Sequence, residues 1–100
     1  MADLANDIRL AVDSGEVAVG LNKALDSVKD HTSKTLVIAS TNKKETLEDV
    51  NHVAKIANVR VLKFNGTSMD LGAVCGKPFS VSVLSILKPG NSNILKENYE

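Results

Sequence analysis

The chain has 100 residues, 43% of them apolar, enough for one core and too few for a second, so residues 1–100 read as a single domain. Its 12 Lys and Arg cancel its 12 Asp and Glu, which excludes recognition of nucleic acid through an overall positive field and confines any RNA affinity to a local surface. The lone Cys75 excludes an internal disulfide, the charges between Met1 and Leu10 exclude the apolar run of a signal peptide, and no stretch nears the roughly 20 apolar residues of a membrane helix, so a soluble cytoplasmic protein is expected.

In chain order, Asp3 is placed to cap a helix whose apolar stripe is Leu4, Ile8, Ala11 and Val12, and Gly15 to end it through its permissive backbone. Glu16 to Val19 reads as a short strand. Gly20 then opens a second helix with Leu21, Ala24, Leu25 and Val28 on one face. The run Thr35 to Ala39 is β-branched and continuously apolar, which suits a central strand buried on both faces. Leu47, Val50, Val53, Ala54 and Ala57 recur at helical spacing, and Asn58 is the expected C-terminal cap. Val59 to Phe64 is strand-like. Thr67 and Asp70 stand in the relation of N-cap and third helical residue, and Gly76 closes the short helix they begin. Phe79 to Leu87 alternates and then becomes wholly apolar, as a strand does on entering a core, and Pro89 and Gly90 end it. Alternating helices and strands with short connections imply a three-layer α/β/α sandwich, because each crossover helix must lie on a face of the sheet. Periodicity does not fix the strand order.

Catalytic patterns fail one after another. Gly15 and Gly20 have the spacing that opens a phosphate-binding loop, but Leu21 and Asn22 stand where Lys and Ser or Thr are needed. Gly72 and Gly76 do not complete a dinucleotide fingerprint and read as packing glycines. His31, His52 and Cys75 fall in different elements with no ligand pair at metal spacing, so no metal and no cofactor are expected. His31 reads as a residue at the C-terminal end of the second helix, where positive charge is favoured. The central strand ends on Ser40, where a phosphoacceptor domain would carry an aspartate.

Three segments stand apart. Gly20–Leu25, Ser40–Lys44 and Gly76–Ser82 carry Lys23, Lys43, Lys44 and Lys77 and no acid; all 12 carboxylate side chains lie elsewhere. In a sandwich of this kind functional residues gather where loops leave one end of the sheet. Gly20 at a helix start leaves amides open to a phosphate. Asn22 both donates and accepts, and Lys23 suits guanine acceptors. Phe79, one of only three aromatic residues, is able to stack on an unpaired base.

Over nearly its full length the chain resembles the L-thirty-e family of large-subunit ribosomal proteins of archaea and eukaryotes, within the broader kink-turn RNA-binding superfamily. The resemblance rests on VAVGLNKAL around Gly20, the strand TLVIAS, GTSMDLGAVCGKPFSVSVLSIL from Gly66 to Leu87, and PGNSNIL from Pro89 to Leu95, in that order and spacing. It implies a four-stranded mixed sheet, no enzymatic activity, and binding of a kink-turn in ribosomal RNA by a protein that is monomeric when free. A kink-turn is an internal loop bent sharply at a bulge beside sheared G·A pairs. Carried over by position, the RNA-binding residues are Gly20, Leu21, Asn22, Lys23, Thr41, Asn42, Lys43, Lys77, Phe79, Ser80 and Val81. Asn22 and Lys23 would meet the guanines, and Phe79 and Val81 would offer apolar surface to exposed bases. Family members carry an asparagine in the loop after the central strand; here Thr41 takes that register and Asn42 follows it. Two other readings stand beside this one: a kink-turn protein of another RNA particle, and a small α/β adaptor or nucleotide-binding enzyme motivated only by the fold pattern and Gly20.

Overall fold

The computed structural model describes residues 4–40 and 43–95; Asp3, expected to cap the first helix, lies outside them. The elements are α1 (Leu4–Ser14), β1 (Glu16–Val19), α2 (Leu21–Lys29), β2 (Thr35–Ala39), α3 (Lys44–Ala57), β3 (Arg60–Phe64), α4 (Ser68–Val74) and β4 (Val83–Lys88). The sheet order is β1-β4-β2-β3. Strand β4 runs antiparallel to both β1 and β2, whereas β2 and β3 are parallel. Three strands therefore point one way and β4 the other, the mixed sheet expected of the fold.

All five residues of β2 are buried. Val37 and Ala39 face Ile8 and Ala11 of α1, Leu71 of α4 and its C-cap Cys75, with Leu84 and Ile86 of β4 beside them. Leu36 and Ile38 face Ala24 and Val28 of α2 and Val50 and Ala54 of α3. Period-two strands thus feed two separate cores, one per face, and give the three-layer sandwich. Each fully buried Leu, Ile or Val contributes about 1.5–3 kcal/mol, so the continuous apolar run of β2 is what joins the layers.

The sheet face under α2 contains one polar position. Ser85 is fully buried, and its hydroxyl lies 2.7 Å from those of both Ser27 and Ser33. The Ser27 hydroxyl also reaches the Ala24 carbonyl at 2.6 Å. One proton per hydroxyl closes this chain on a carbonyl, so the buried oxygens are satisfied and α2 is fixed in register on β4.

Several local expectations meet specific geometry. Asn58 ends α3 in the left-handed conformation, φ 58. Thr67 and Asp70 form a reciprocal capping box: the Asp70 N–H donates to Thr67 Oγ1 at 3.1 Å and the Thr67 N–H to Asp70 Oδ2 at 3.2 Å. Gly15 is required for a different reason from the one expected. It does not adopt a positive φ, but a Cβ there would run into the Lys88 carbonyl, so close approach of α1's end to β4 selects glycine. The last strand also begins later than its alternation suggests, at Val83 rather than Phe79. Its pairing with β1 and β2 ends at Leu84 and Val83, and the preceding residues turn to α4 instead, where the Val81 N–H donates to the Ser68 carbonyl at 2.9 Å.

Gly72 lets that turn close, because its missing Cβ would occupy the position of the Phe79 carbonyl oxygen. Gly72→Ala gains up to about 1 kcal/mol of helix propensity, but the loop must then move off α4 at an overpacking cost of about 1–3 kcal/mol. A net destabilisation in urea unfolding is expected; an unchanged or raised midpoint would show that the loop does not need this contact.

Candidate nucleic-acid interface

Because β4 runs against its neighbours, its beginning lies at the end of the sheet where β1, β2 and β3 finish. Backbone hydrogen bonds tie the segments there. The Gly20 N–H donates to the Val83 carbonyl at 2.9 Å, and the Ala39 N–H to the Ser82 carbonyl at 3.0 Å. The Lys77 N–H donates to the Gly72 carbonyl at 2.9 Å, which starts the loop on α4. The loops beginning at Gly20, Ser40 and Gly76 therefore meet at one end. Sequence reasoning missed a fourth segment, the turn after β3: the Ser40 N–H reaches the Gly66 carbonyl at 3.1 Å and its hydroxyl reaches the same oxygen at 2.8 Å. Its only signal was the parallel direction of β3, which the sequence does not reveal.

Gly20 is the N-cap of α2 with φ 102 and ψ 156, a combination open to glycine alone, and as a glycine it gives the helix no side-chain cap. Its carbonyl accepts from Ala24 at 2.9 Å. The amides of Leu21, Asn22 and Lys23 precede the first intrahelical bond and have no partner within the helix. They and the helix dipole give this corner a partial positive charge without a cationic side chain.

The side chains of the predicted set divide. Asn22, Lys23, Lys43, Lys77 and Ser80 are exposed, and Phe79 is 53% exposed. Lys43 is the N-cap of α3, with φ −61 and ψ 148. None of Lys23, Lys43 and Lys77 joins an ion pair among the described residues; the pair that forms, Glu16–Lys88 at 3.7 Å, lies at the far end of the sheet. Leu21 is half-buried against the α2–α3 core. Val81 is 1% exposed and belongs to the opposite core, so its side chain offers no surface to a base. The apolar pair implied by the resemblance is therefore reduced to Phe79, since both residues precede β4 and only Phe79 stays exposed. Thr41 and Asn42 lie outside the described residues.

Elsewhere the chemistry is sparse. Cys75 is buried, and loss of solvent raises its thiol above the ordinary 9.0 despite the opposing charge of Lys77, which leaves it protonated and a poor nucleophile at neutral pH. Among the described residues no three of His, Cys, Asp and Glu gather to hold a metal. His31 is exposed just past α2, in the left-handed conformation with φ 61. At the end of the sheet away from Gly20, a groove of about 220 Å³ between the last turns of α2 and α3 is lined by Val28, Lys29, His31, Val53, Ile56 and Ala57. No helix among the described residues is long and apolar enough to cross a membrane.

Comparison with known proteins bears on this arrangement. The large ribosomal subunit protein eL30 of Methanosphaera stadtmanae is 42% identical over 94 residues, 94% of this chain and 96% of the relative. The eL30 protein of Methanococcus vannielii is 42% identical over 98 residues, 98% of this chain and 93% of the relative. That of Methanocaldococcus jannaschii is 43% identical over 94 residues, 94% of this chain and 86% of the relative. The profile of the ribosomal protein L7Ae/L30e/S12e/Gadd45 family matches residues 2–96, and the chain belongs to that family.

Proposed function

We propose that this protein is a non-enzymatic structural constituent of the large ribosomal subunit in the cytoplasm, and that as a monomer it binds a kink-turn in ribosomal RNA. The observation that carries this reading is the convergence, at one end of a rigid sheet, of a helix start with no side-chain cap from its N-cap glycine, an exposed amide side chain, cations without ion-pair partners among the described residues, and an exposed aromatic ring. Its relatives' place in the large ribosomal subunit supports the assembly.

The amides of Leu21 to Lys23 receive a backbone phosphate at the helix N-terminus. With the register so fixed, Asn22 and Lys23 meet the guanine edges of the sheared pairs. Lys43 and Lys77 sit on flanking phosphates, and Thr41 or Asn42 supplies the contact from the loop after β2. Phe79 stacks on an unpaired base at the bend, with Ser80 beside it. Leu21 and Val81 act from beneath, holding the backbone that presents the others.

A gel-shift titration with a kink-turn RNA, and with the same RNA carrying Watson–Crick pairs in place of its tandem G·A pairs, tests the reading. Strong preference for the first is expected, and equal affinity would end the proposal. Asn22→Ala removes an exposed side chain and is expected to weaken binding by about 1–3 kcal/mol with the unfolding midpoint unchanged. An unchanged dissociation constant would take Asn22 out of the interface.

Gly20→Ala acts through the backbone. Among the described residues no atom beyond the two chain neighbours lies within 4 Å of the added methyl, so crowding by them contributes nothing, whereas the positive φ costs an L-residue about 1–3 kcal/mol. Lower stability together with weaker RNA binding is expected, read by urea unfolding and by the same titration. Full retention of both would show that the turn relaxes freely and that the aim of the α2 amides is immaterial.

A further inference from the structure

Two large apolar side chains near the proposed interface are exposed, and only one of them, Phe79, has been given a role. The other is Met69 in the first turn of α4, 63% exposed. Along α4, Ser68, Leu71 and Cys75 turn inward, and Gly72 flanks them under the Phe79 carbonyl. At about 100° per residue, Met69 comes next around the helix on the Gly72 side, toward the Phe79 loop and away from the core. The second anchor of that loop, the bond from the Val81 N–H to the Ser68 carbonyl, ends on the residue before Met69. The nearest acid, Asp70, is engaged by the Thr67 amide in the capping box. Leu10, Ile56 and Leu95, also exposed, belong to α1, the last turn of α3 and the C-terminal stretch.

We propose that Met69 is a further RNA-contacting residue, forming with Phe79 an apolar ledge that holds one unpaired base of the bound kink-turn. The inference rests on the kink-turn reading and deepens it. Two side chains are far too small a surface for a stable protein partner, which needs on the order of 1,000 Å², but they match the face of a single base. A thioether is polarisable and favours contact with an aromatic ring, and it carries no strong donor or acceptor with which to read the base edge. The ledge therefore senses that a base is present and tolerates which base it is.

The test pairs protein and RNA changes. Wild type, Met69→Ala, Met69→Leu and Asn22→Ala are titrated against a kink-turn RNA and against versions made abasic at each unpaired nucleotide in turn, with thermal melting to confirm the fold. Met69→Ala is expected to lose about three- to tenfold in affinity on the intact RNA, and to match wild type on the RNA abasic at one position. Met69→Leu should stay within about twofold of wild type on the intact RNA, since a volume-conserving apolar swap keeps the ledge. Asn22→Ala should lose affinity on every RNA alike. Wild-type affinity of Met69→Ala for the intact RNA, or the same loss on every abasic RNA, overturns the ledge while leaving the kink-turn reading intact. Failure of the wild type to prefer the kink-turn at all overturns both, and shows in the wild-type titration before any variant is compared.

Discussion

Strand β4 enters the sheet between two strands that run against it, and two successive carbonyls at that entry govern the rest of the candidate interface. Val83 accepts from Gly20 at the end of β1, and Ser82 accepts from Ala39 at the end of β2. With neighbouring strands about 4.8 Å apart, the segments after β1 and β2 leave the sheet roughly 10 Å from each other, and the Phe79 loop descends between them. Their separation is a property of the hydrogen-bond ladder. A parallel β4 would deliver its preceding loop to the far end, beside the starts of β1 and β2 at Glu16 and Thr35, and so away from the start of α2.

Holding the loops in place matters because the chain has no net charge to compensate for loose geometry. A strongly basic protein can bind RNA through many phosphates and tolerate mobile side chains. Here the positive character at the site comes partly from peptide dipoles, which act only where they are aimed. The aim of α2 is fixed from two sides. Ala24 and Val28 bury against the sheet, and the Ser27–Ser85–Ser33 hydroxyls lock the helix to β4. A slide of α2 along the sheet would strand the buried Ser85 hydroxyl at about 1–3 kcal/mol, a large fraction of a small domain's stability.

What the sequence revealed follows from what each residue must satisfy locally. The β2 run, the Thr67–Asp70 capping box and the Asn58 cap were legible because their causes lie within a few residues of one another. Strand order was not, since it depends on which strand β4 finds. That ignorance hid the turn after β3, which joins the site only because β3 runs parallel to β2. Gly15 was read as a conformational glycine when the carbonyl of Lys88, far along the chain, is what excludes a side chain. The resemblance implies apolar surface from both Phe79 and Val81, but the bond that ties Val81 to α4 accompanies one side chain left exposed and the other buried in the core. Each of these errors concerns a contact between distant parts of the chain.

The division between Phe79 and Val81 also separates two kinds of dependence within one loop. Phe79, Asn22 and Lys23 meet solvent, and surface changes of that kind alter stability by no more than about 0.5 kcal/mol, so in the proposed interface their effect would fall on the ligand alone. Val81, Gly20 and Gly72 hold the backbone, and changes there move stability and geometry together. The resemblance groups Phe79, Asn22, Lys23, Val81 and Gly20 in one expected RNA-binding set without distinguishing touching from supporting. Burial draws that distinction: a side chain with no accessible surface affects RNA only through the atoms it positions.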